Sequence, residues 1–392
     1  MQKLKNIFEK EEELLLQTYK RIPIKITHGK GVYLFSEGGK RYLDFFSGLA
    51  VNALGYGNEK VINAIKEQLD NYIHLSNYYV NTPQIELAEK LIKYSGLDRV
   101  FFTNSGTEAV EAALKLIRKH CGPDKKIISF SNAFHGRTYG SLSLGGKEKY
   151  KKYFSPMLPN IVQLEFNNLD QLERNIDSQT AAVFIEFIQG EGGVRLATEK
   201  FVSKIISLRN KYDFILVADE VQSGIGRTGK AFAFNHFNIR PDLLIIAKAI
   251  GAGLPLGALI TSEKYSKVFG YGDHGSTFGG NPVACTAGLA VLDEVFEKGL
   301  VNKVAKLGNY FINELKVIQE TNSDKIIEIR GLGFMIGIEM QRQCSTIVKE
   351  FRDKEILVNC TNENVIRVLP PLISTETEID LFLDVFKDIL NN

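Results

Sequence analysis

Lys248 stands at the end of the apolar run LLIIAK and inside the longer stretch LLIIAKAIGAGLPLGALI. An ammonium surrounded by such residues is costly to keep charged, and burial lowers its pKa. A neutral lysine amine is a nucleophile suited to Schiff-base chemistry with a carbonyl carbon. Taken alone, a lysine snorkelling from a strand end is the more ordinary reading. Asp219 closes the run FILVAD one strand candidate earlier and is followed by Glu220. By itself it reads as a cap. Facing the same pocket as Lys248, a carboxylate could keep a pyridine nitrogen protonated and so make the ring an electron sink.

Two further clusters carry chemistry. Asn104-Ser105-Gly106-Thr107 follows the strand candidate RVFFT and opens a helix, EAVEAALKLIRKH. Backbone amides and hydroxyls at a helix start bind phosphate, or else simply cap the helix. Its apolar face is Val110, Ala113, Leu114 and Ile117, and Glu111 with Lys115 has the spacing of an i, i+4 ion pair. Phe134-His135-Gly136-Arg137-Thr138 joins a ring that could stack on a planar ligand to a guanidinium that could fork onto a carboxylate. The stretch Gly224 to Lys230 matches GxGxxG and nearly a P-loop. The P-loop reading fails because Ala231 stands where a Ser or Thr would ligate magnesium. The dinucleotide reading fails because Asp219 to Ser223 separate the strand from the first glycine, and the following KAFAFNHF is a poor helix start.

These residues need a scaffold. The chain has 392 residues, with 44% hydrophobic and 24% charged, enough for two globular units and a large core. A net charge of +2 argues against a strong field for nucleic acid or membrane. The densest basic run, Lys147 to Lys152, contains Glu148 and Tyr150 and reads as a solvated surface segment. Cys121, Cys285, Cys344 and Cys360 form no CxxC pair, so neither a zinc site nor a disulfide framework is expected. Reduced thiols and a cytoplasmic location are expected instead. The charged N-terminus, MQKLKNIFEKEEELLLQTYK, reads as an amphipathic helix rather than a signal peptide or membrane span.

The segment GKGVYLFSEGGKRYLDF reads as two short strands around its Glu37-Gly38-Gly39 turn. From about 58 to 290, strand and helix patterns alternate. The runs RVFFT (99–103), KIISF (126–130), AAVFIEF (181–187), FILVAD (214–219) and LLIIAK (243–248) suit strands covered on both faces. Helix patterns such as Gly106 to His120 and Thr198 to Tyr212 lie between them. This predicts an α/β fold with a mostly parallel central sheet. The tail, with helices and the alternating segments FMIGIEM and VIRVL, predicts a smaller α+β domain. The expected division is 1–57 packing with the small domain, 58–290 as the large ligand-binding domain, and 291–392 as the small domain. Ligands of such sheets sit at the carboxyl ends of the strands, where Asp219 and Lys248 lie.

In order along the chain, the sequence also carries KRYLDFFSGLAVNALG (40–55), FFTNSGTEAVEAALKLIR (101–118), FHGRT (134–138) and IQGEGG (188–193). ADEVQSGIGRTGK (218–230), AKAIGAGLPLGA (247–258), HGSTFGGNP (274–282) and RVLPPL (367–372) follow. Together these resemble the class III (ω-amino) aminotransferases of PLP fold type I, over nearly the whole chain. The resemblance implies pyridoxal 5'-phosphate held by Lys248 as a Schiff base and Asp219 paired with the ring nitrogen. Phe134 would stack on the ring, Gln222 approach its hydroxyl, Glu220 and Val221 border it, and Gly106 and Thr107 bind the phosphate.

Thr277 would reach a phosphate in the neighbouring subunit of a homodimer with shared active sites. Arg137 and Ser276 would contact the amine donor, with Arg137 on its α-carboxylate. Arg367 would hold the α-carboxylate of glutamate or 2-oxoglutarate, and Glu191 would pair with Arg367 when it is not wanted. The implied reaction moves the δ-amino group of N2-acetyl-L-ornithine to 2-oxoglutarate, a step of arginine biosynthesis. Free ornithine, succinyldiaminopimelate and 4-aminobutyrate are alternative donors. An aminomutase, a nucleotide-binding protein using 224–230 and a non-catalytic binding module are the rival classes. No metal, nucleic acid or membrane partner is expected. The sequence departs from the family at Glu186-Phe187, where Glu-Pro is usual, and at Gly55-Tyr56-Gly57-Asn58-Glu59, where Gly-His-x-His-Pro is usual. Both departures concern loop geometry and the substrate entrance rather than the reaction.

Overall fold

The computed structural model of the chain describes residues 6–391. The alternating apolar runs form a seven-stranded sheet in the order Arg99–Thr103, Gly257–Thr261, Leu243–Ile246, Ile215–Asp219, Thr180–Ile185, Lys126–Phe130, Ile161–Leu164. Every neighbouring pair is parallel except those made by Gly257–Thr261, which runs antiparallel to both flanking strands. The four strands from Thr180–Ile185 through Gly257–Thr261 are buried at every position, because helices cover both faces. The α/β expectation holds. Gly257–Thr261 is a strand absent from the expected set, and an all-buried run carries no signal of its direction.

The sheet's register sets the depth of the chemistry. Asp219 pairs with Ile245, so both lie at the carboxyl edge, and the chain leaves the ladder after Ile246. Lys248 therefore lies just past the strand end. The AAVFIEF strand likewise stops at Ile185, leaving Glu186 and Phe187 beyond it, both buried. The helix Gly106–Cys121 starts from Ser105, whose hydroxyl accepts Glu108 N–H at 3.3 Å. It buries Ala109, Val110, Ala112, Ala113, Leu114, Leu116 and Ile117 on the sheet. Fully burying each large aliphatic side chain contributes roughly 1.5–3 kcal/mol. The expected Glu111–Lys115 pair does not form. Lys115 Nζ donates to Asp273 O at 2.9 Å, and Glu111 turns to Thr138 and Ser141.

A second sheet, in the order Ile326–Leu332, Met335–Met340, Val365–Val368, Asn359–Thr361, is antiparallel throughout. A third joins Ile26–Lys30, Tyr33–Ser36 and Arg41–Asp44 to Ile356–Leu357, so the N-terminal strands are stitched to the C-terminal region. At the departure from the family pattern, Tyr56 Oη donates to Asp44 Oδ2 at 2.5 Å. Its ring occupies the space above Gly29, where a Cβ would fall 2.4 Å from Tyr56 Cγ. The N-terminal helix is Ile7–Leu14, with no buried residue; residues 1–5 of the expected helix lie outside the described residues.

Two expectations are corrected. Cys344 and Cys360 are joined in a disulfide with Cα atoms 5.6 Å apart, while Cys121 and Cys285 are free. A helix start and a sheet edge bring the two together, and a 16-residue separation reveals neither. The run Lys147 to Lys152 is solvated only in part: Glu148, Lys149 and Lys152 are exposed, whereas Lys147 and Lys151 are buried. The glycine-rich 224–230 stretch is a packed turn. Arg227 is buried and donates to Phe334 O at 3.3 Å and to Pro370 O, and a Cβ on Gly229 would meet Ala305 at 2.7 Å. No room is left there for a phosphate. Among the described residues no helix is long and apolar enough to cross a membrane, and no group of His, Cys, Asp and Glu could hold a metal ion.

Candidate active site

A cavity of about 450 Å³ opens at the carboxyl edge of the sheet, within the usual range for small-molecule sites. Lys248, Asp219, Gln222, Val221, Phe134, Arg137, Glu191, Gly106 and Thr107 all line it. These are nine of the residues singled out from sequence, drawn together from five separate segments.

Lys248 begins a short 3-10 turn, Lys248–Gly251, with φ of 52°. A left-handed backbone is unfavourable for a residue with a Cβ and marks a position fixed by its surroundings. The side chain is enclosed by protein yet keeps some accessible surface, because it forms part of the cavity wall. Burial, aided by the nearby Arg367 cation, brings its pKa down to about 8. Glu191, Asp219 and Glu186 oppose that shift. The fraction of neutral amine therefore rises through about pH 8 rather than through the ordinary lysine range.

Asp219 is buried and accepts twice: Val221 N–H donates to Oδ1 at 3.1 Å and His135 Nδ1 to Oδ2 at 2.7 Å. His135 was missed as a functional residue. Burial alone would lower its pKa, but the Asp219 contact outweighs burial and raises it, so the histidine keeps its proton facing the carboxylate. Glu186, also missed, lines the cavity and accepts Phe134 N–H at 3.0 Å. Burial drives its carboxyl up to about 8. Its signal in the sequence was an acid closing an otherwise apolar run. Glu220 is corrected: its carboxylate turns away from the cavity and accepts from Ser223 Oγ, Ala233 N–H and Phe234 N–H at 2.6, 2.9 and 2.9 Å.

At the helix start, Gly106 and Thr107 line the cavity. A Cβ on Gly106 would fall 2.8 Å from Val221 Cγ2, and one on Gly136 2.3 Å from Thr107 Oγ1, so both glycines are needed for close approach. Thr107 Oγ1 lies 2.8 Å from Thr138 Oγ1 and 2.7 Å from Ser141 Oγ. Ser276 accepts Asn104 Nδ2–H at 3.1 Å on the rim, whereas Thr277 is exposed and outside this cavity.

Arg137 lines the same cavity as Lys248, and the Arg367 cation acts on the Lys248 amine. The guanidinium of Arg137 lies 4.0 Å from the ring centre of Tyr150 and 5.5 Å from that of Phe134, which fixes its plane by cation–π contact. Tyr150 comes from the run expected to be solvated. Arg367, buried on the strand Val365–Val368, donates through Nη1 to Glu191 Oε1 at 2.6 Å and to Gln222 Oε1 at 3.2 Å. Burial would raise the Glu191 pKa, but Arg367, Lys248 and Lys147 together outweigh it and hold the carboxyl below its ordinary value. Gln222 comes this close because residue 190 is glycine; a Cβ there would fall 2.4 Å from Gln222 Oε1.

The donor set fits a flat, phosphorylated pyridine aldehyde. A helix start with glycines suits the phosphate, Phe134 the ring face, Asp219 the ring nitrogen, and Lys248 the aldehyde carbon. A pH prediction follows for the protein stripped of cofactor. Its rate of taking up pyridoxal 5'-phosphate, read by absorbance, is expected to rise with pH and reach half its maximum near about pH 8. A half-maximum near pH 10 would contradict the enclosed, uncharged lysine.

The aminotransferase class-III family model matches residues 16–390. The acetylornithine aminotransferase of Aquifex aeolicus is 47% identical over 381 residues, covering 96% of this chain and 99% of the relative. The ornithine aminotransferase of Toxoplasma gondii superposes with a TM-score of 0.95 at 29% identity, over 99% of this chain and 96% of its own. The acetylornithine aminotransferase of Elizabethkingia anophelis superposes with a TM-score of 0.88 at 32% identity, over 98% of both chains. With the whole fold and nearly its whole length matched in this way, the chain belongs to the class III aminotransferase family.

Proposed function

We propose that this protein moves the δ-amino group of N2-acetyl-L-ornithine to 2-oxoglutarate, giving N-acetyl-L-glutamate 5-semialdehyde and L-glutamate. The observation that carries this reading is a pair of unlike arginines at the Lys248 site, one stacked on the cavity wall and open, the other masked by Glu191 and acting on the lysine amine. Acetylornithine brings its carboxylate to the site far from the reacting amine, and 2-oxoglutarate brings one beside the reacting carbon. Arg137 suits the distant carboxylate and Arg367 the near one. The names borne by the relatives support the acetylated donor.

Pyridoxal 5'-phosphate, when bound, supplies a protonated ring that takes up the electron pair left when a C–H bond next to the amine is broken. The protein does the rest. Asp219, held by His135 and Val221, would keep the ring nitrogen protonated. With its amine free, Lys248 would act as the base and acid that takes the proton from the substrate carbon bearing the amine and returns one. Its lowered pKa leaves a neutral base available near neutral pH. Gly106 and Thr107 would hold the phosphate, and Val221 and Gln222 would border the ring. Glu191 screens Arg367 while acetylornithine reacts and yields it to 2-oxoglutarate afterwards. Two substrates using one site in turn give ping-pong kinetics.

A homodimer with shared sites completes the reading, with Thr277 offered to the neighbouring subunit. Thr277 lies beside Phe278, which is 60% exposed, and the described surface also carries Tyr78 at 96% and Tyr271 at 113%. Large exposed rings are costly on a lone chain and suit a subunit contact. The three-part division at 57 and 290 belongs to the same proposal.

The test is a donor panel with 2-oxoglutarate as acceptor. kcat/KM is expected to be highest for acetylornithine, ahead of ornithine, 4-aminobutyrate and succinyldiaminopimelate. A clear preference for free ornithine would overturn the assignment. Arg137→Ala is expected to raise KM for acetylornithine by roughly 10–150-fold, the equivalent of about 1.5–3 kcal/mol for a hydrogen bond to a charged group. An unchanged KM in that variant removes Arg137 from the carboxylate.

A further inference from the structure

One three-residue strand holds both halves of the Arg367–Glu191 pair. Asn359–Thr361 lies at the edge of its sheet and pairs antiparallel with Val365–Val368, which sets Asn359 opposite Arg367. Asn359 Oδ1 accepts Arg367 Nε–H at 3.0 Å. Two residues on, Thr361 Oγ1 donates to the Glu191 carbonyl at 2.9 Å. Between them stands Cys360, disulfide-linked to the buried Cys344 at the start of the helix Cys344–Asp353. An edge strand has a ladder on one side only, so it depends on such ties for its position.

The geometry gives Asn359 a particular use. Glu191 and Gln222 both engage Nη1 of Arg367, whereas Asn359 engages Nε. An arginine that must exchange Glu191 for a substrate carboxylate needs a fixed point that does not compete for the exchanging face. Asn359 is neutral and meets the guanidinium on another edge, so it steadies Arg367 without adding a second negative charge.

We propose that Asn359 is a positioning residue for Arg367, and that the Cys344–Cys360 crosslink clamps the strand that carries it. Opening the crosslink then weakens the half-reaction with 2-oxoglutarate and spares the one with acetylornithine. The inference rests on the substrate reading above. A water-soluble phosphine opens the link: the S–S bond breaks, two thiols form, and the phosphine becomes its oxide with oxygen from water.

The test uses the holoenzyme and follows each half-reaction by cofactor absorbance. Asn359→Ala is expected to raise the half-saturating 2-oxoglutarate concentration about 10-fold, with less than about a 2-fold change for acetylornithine. Phosphine treatment of the wild type is expected to shift the same constant in the same direction, with reversal by oxidised glutathione. Cys344→Ser is expected to sit at the reduced value under both conditions. Equal effects of Asn359→Ala on both half-reactions would overturn the positioning role, since general loosening would harm both. Four free thiols before and after oxidised glutathione, or a 2-oxoglutarate constant indifferent to phosphine, would overturn the clamp. A wild-type enzyme that reacts with neither substrate fails the substrate reading instead, and is told apart by that.

Discussion

Lys248→Ala is expected to lower turnover by at least about 10²–10⁴-fold, the contribution of a placed proton carrier, with the further loss of the covalent tie to the cofactor. Lys147, the other buried lysine beside the site, is committed to the Glu191 carbonyl at 2.6 Å. The change should not harm the fold. Alanine tolerates the φ of 52° no worse than lysine does, and the enclosed amine disfavours its own charged form. The melting temperature should therefore stay level or rise while activity collapses. Steady-state turnover in the Lys248→Ala variant at the wild-type level would sink the mechanism.

Asp219→Asn should be nearly as damaging for a different reason. The variant keeps the lysine and the shape of the cavity but removes the charge that holds a proton on the ring nitrogen. Breaking one side of a buried ion pair costs on the order of 3–5 kcal/mol, which as a barrier is roughly 10²–10⁴ in rate. His135 gives an independent readout. Its pKa is raised through Asp219, so in the variant it should fall back toward the value burial alone dictates. Histidine titration by NMR measures that shift, and activity measures the rate. A variant with full activity and an unmoved histidine would remove Asp219 from its place.

Much of this was legible in the sequence because strand ends and helix starts have local signatures. Asp219 and Lys248 each close an apolar run, and the helix after Ser105 announces itself by its cap and its apolar face. Parallel strands that are apolar throughout were legible for the same reason, since burial on both faces leaves no alternation. Gly257–Thr261 escaped because its sequence is equally apolar and its reversed direction is a matter of topology. Tyr150 and Lys147 were misplaced because a basic run looks solvated until tertiary packing lays it against Arg137 and Glu191. His135 and Asn359 have no local pattern at all, and Glu186 only that of an acid in an apolar run. Their importance lies in partners 84, 52 and 8 positions away.

The central claim is that Lys248 carries the cofactor, and one measurement meets it directly. The purified protein, supplied with pyridoxal 5'-phosphate, is treated with borohydride, digested and mapped by mass spectrometry. The account predicts a yellow protein that bleaches on reduction, with the phosphopyridoxyl group fixed on the peptide containing Lys248 and on no other. A protein that stays colourless with added cofactor, or a label resting on a different lysine, would contradict it.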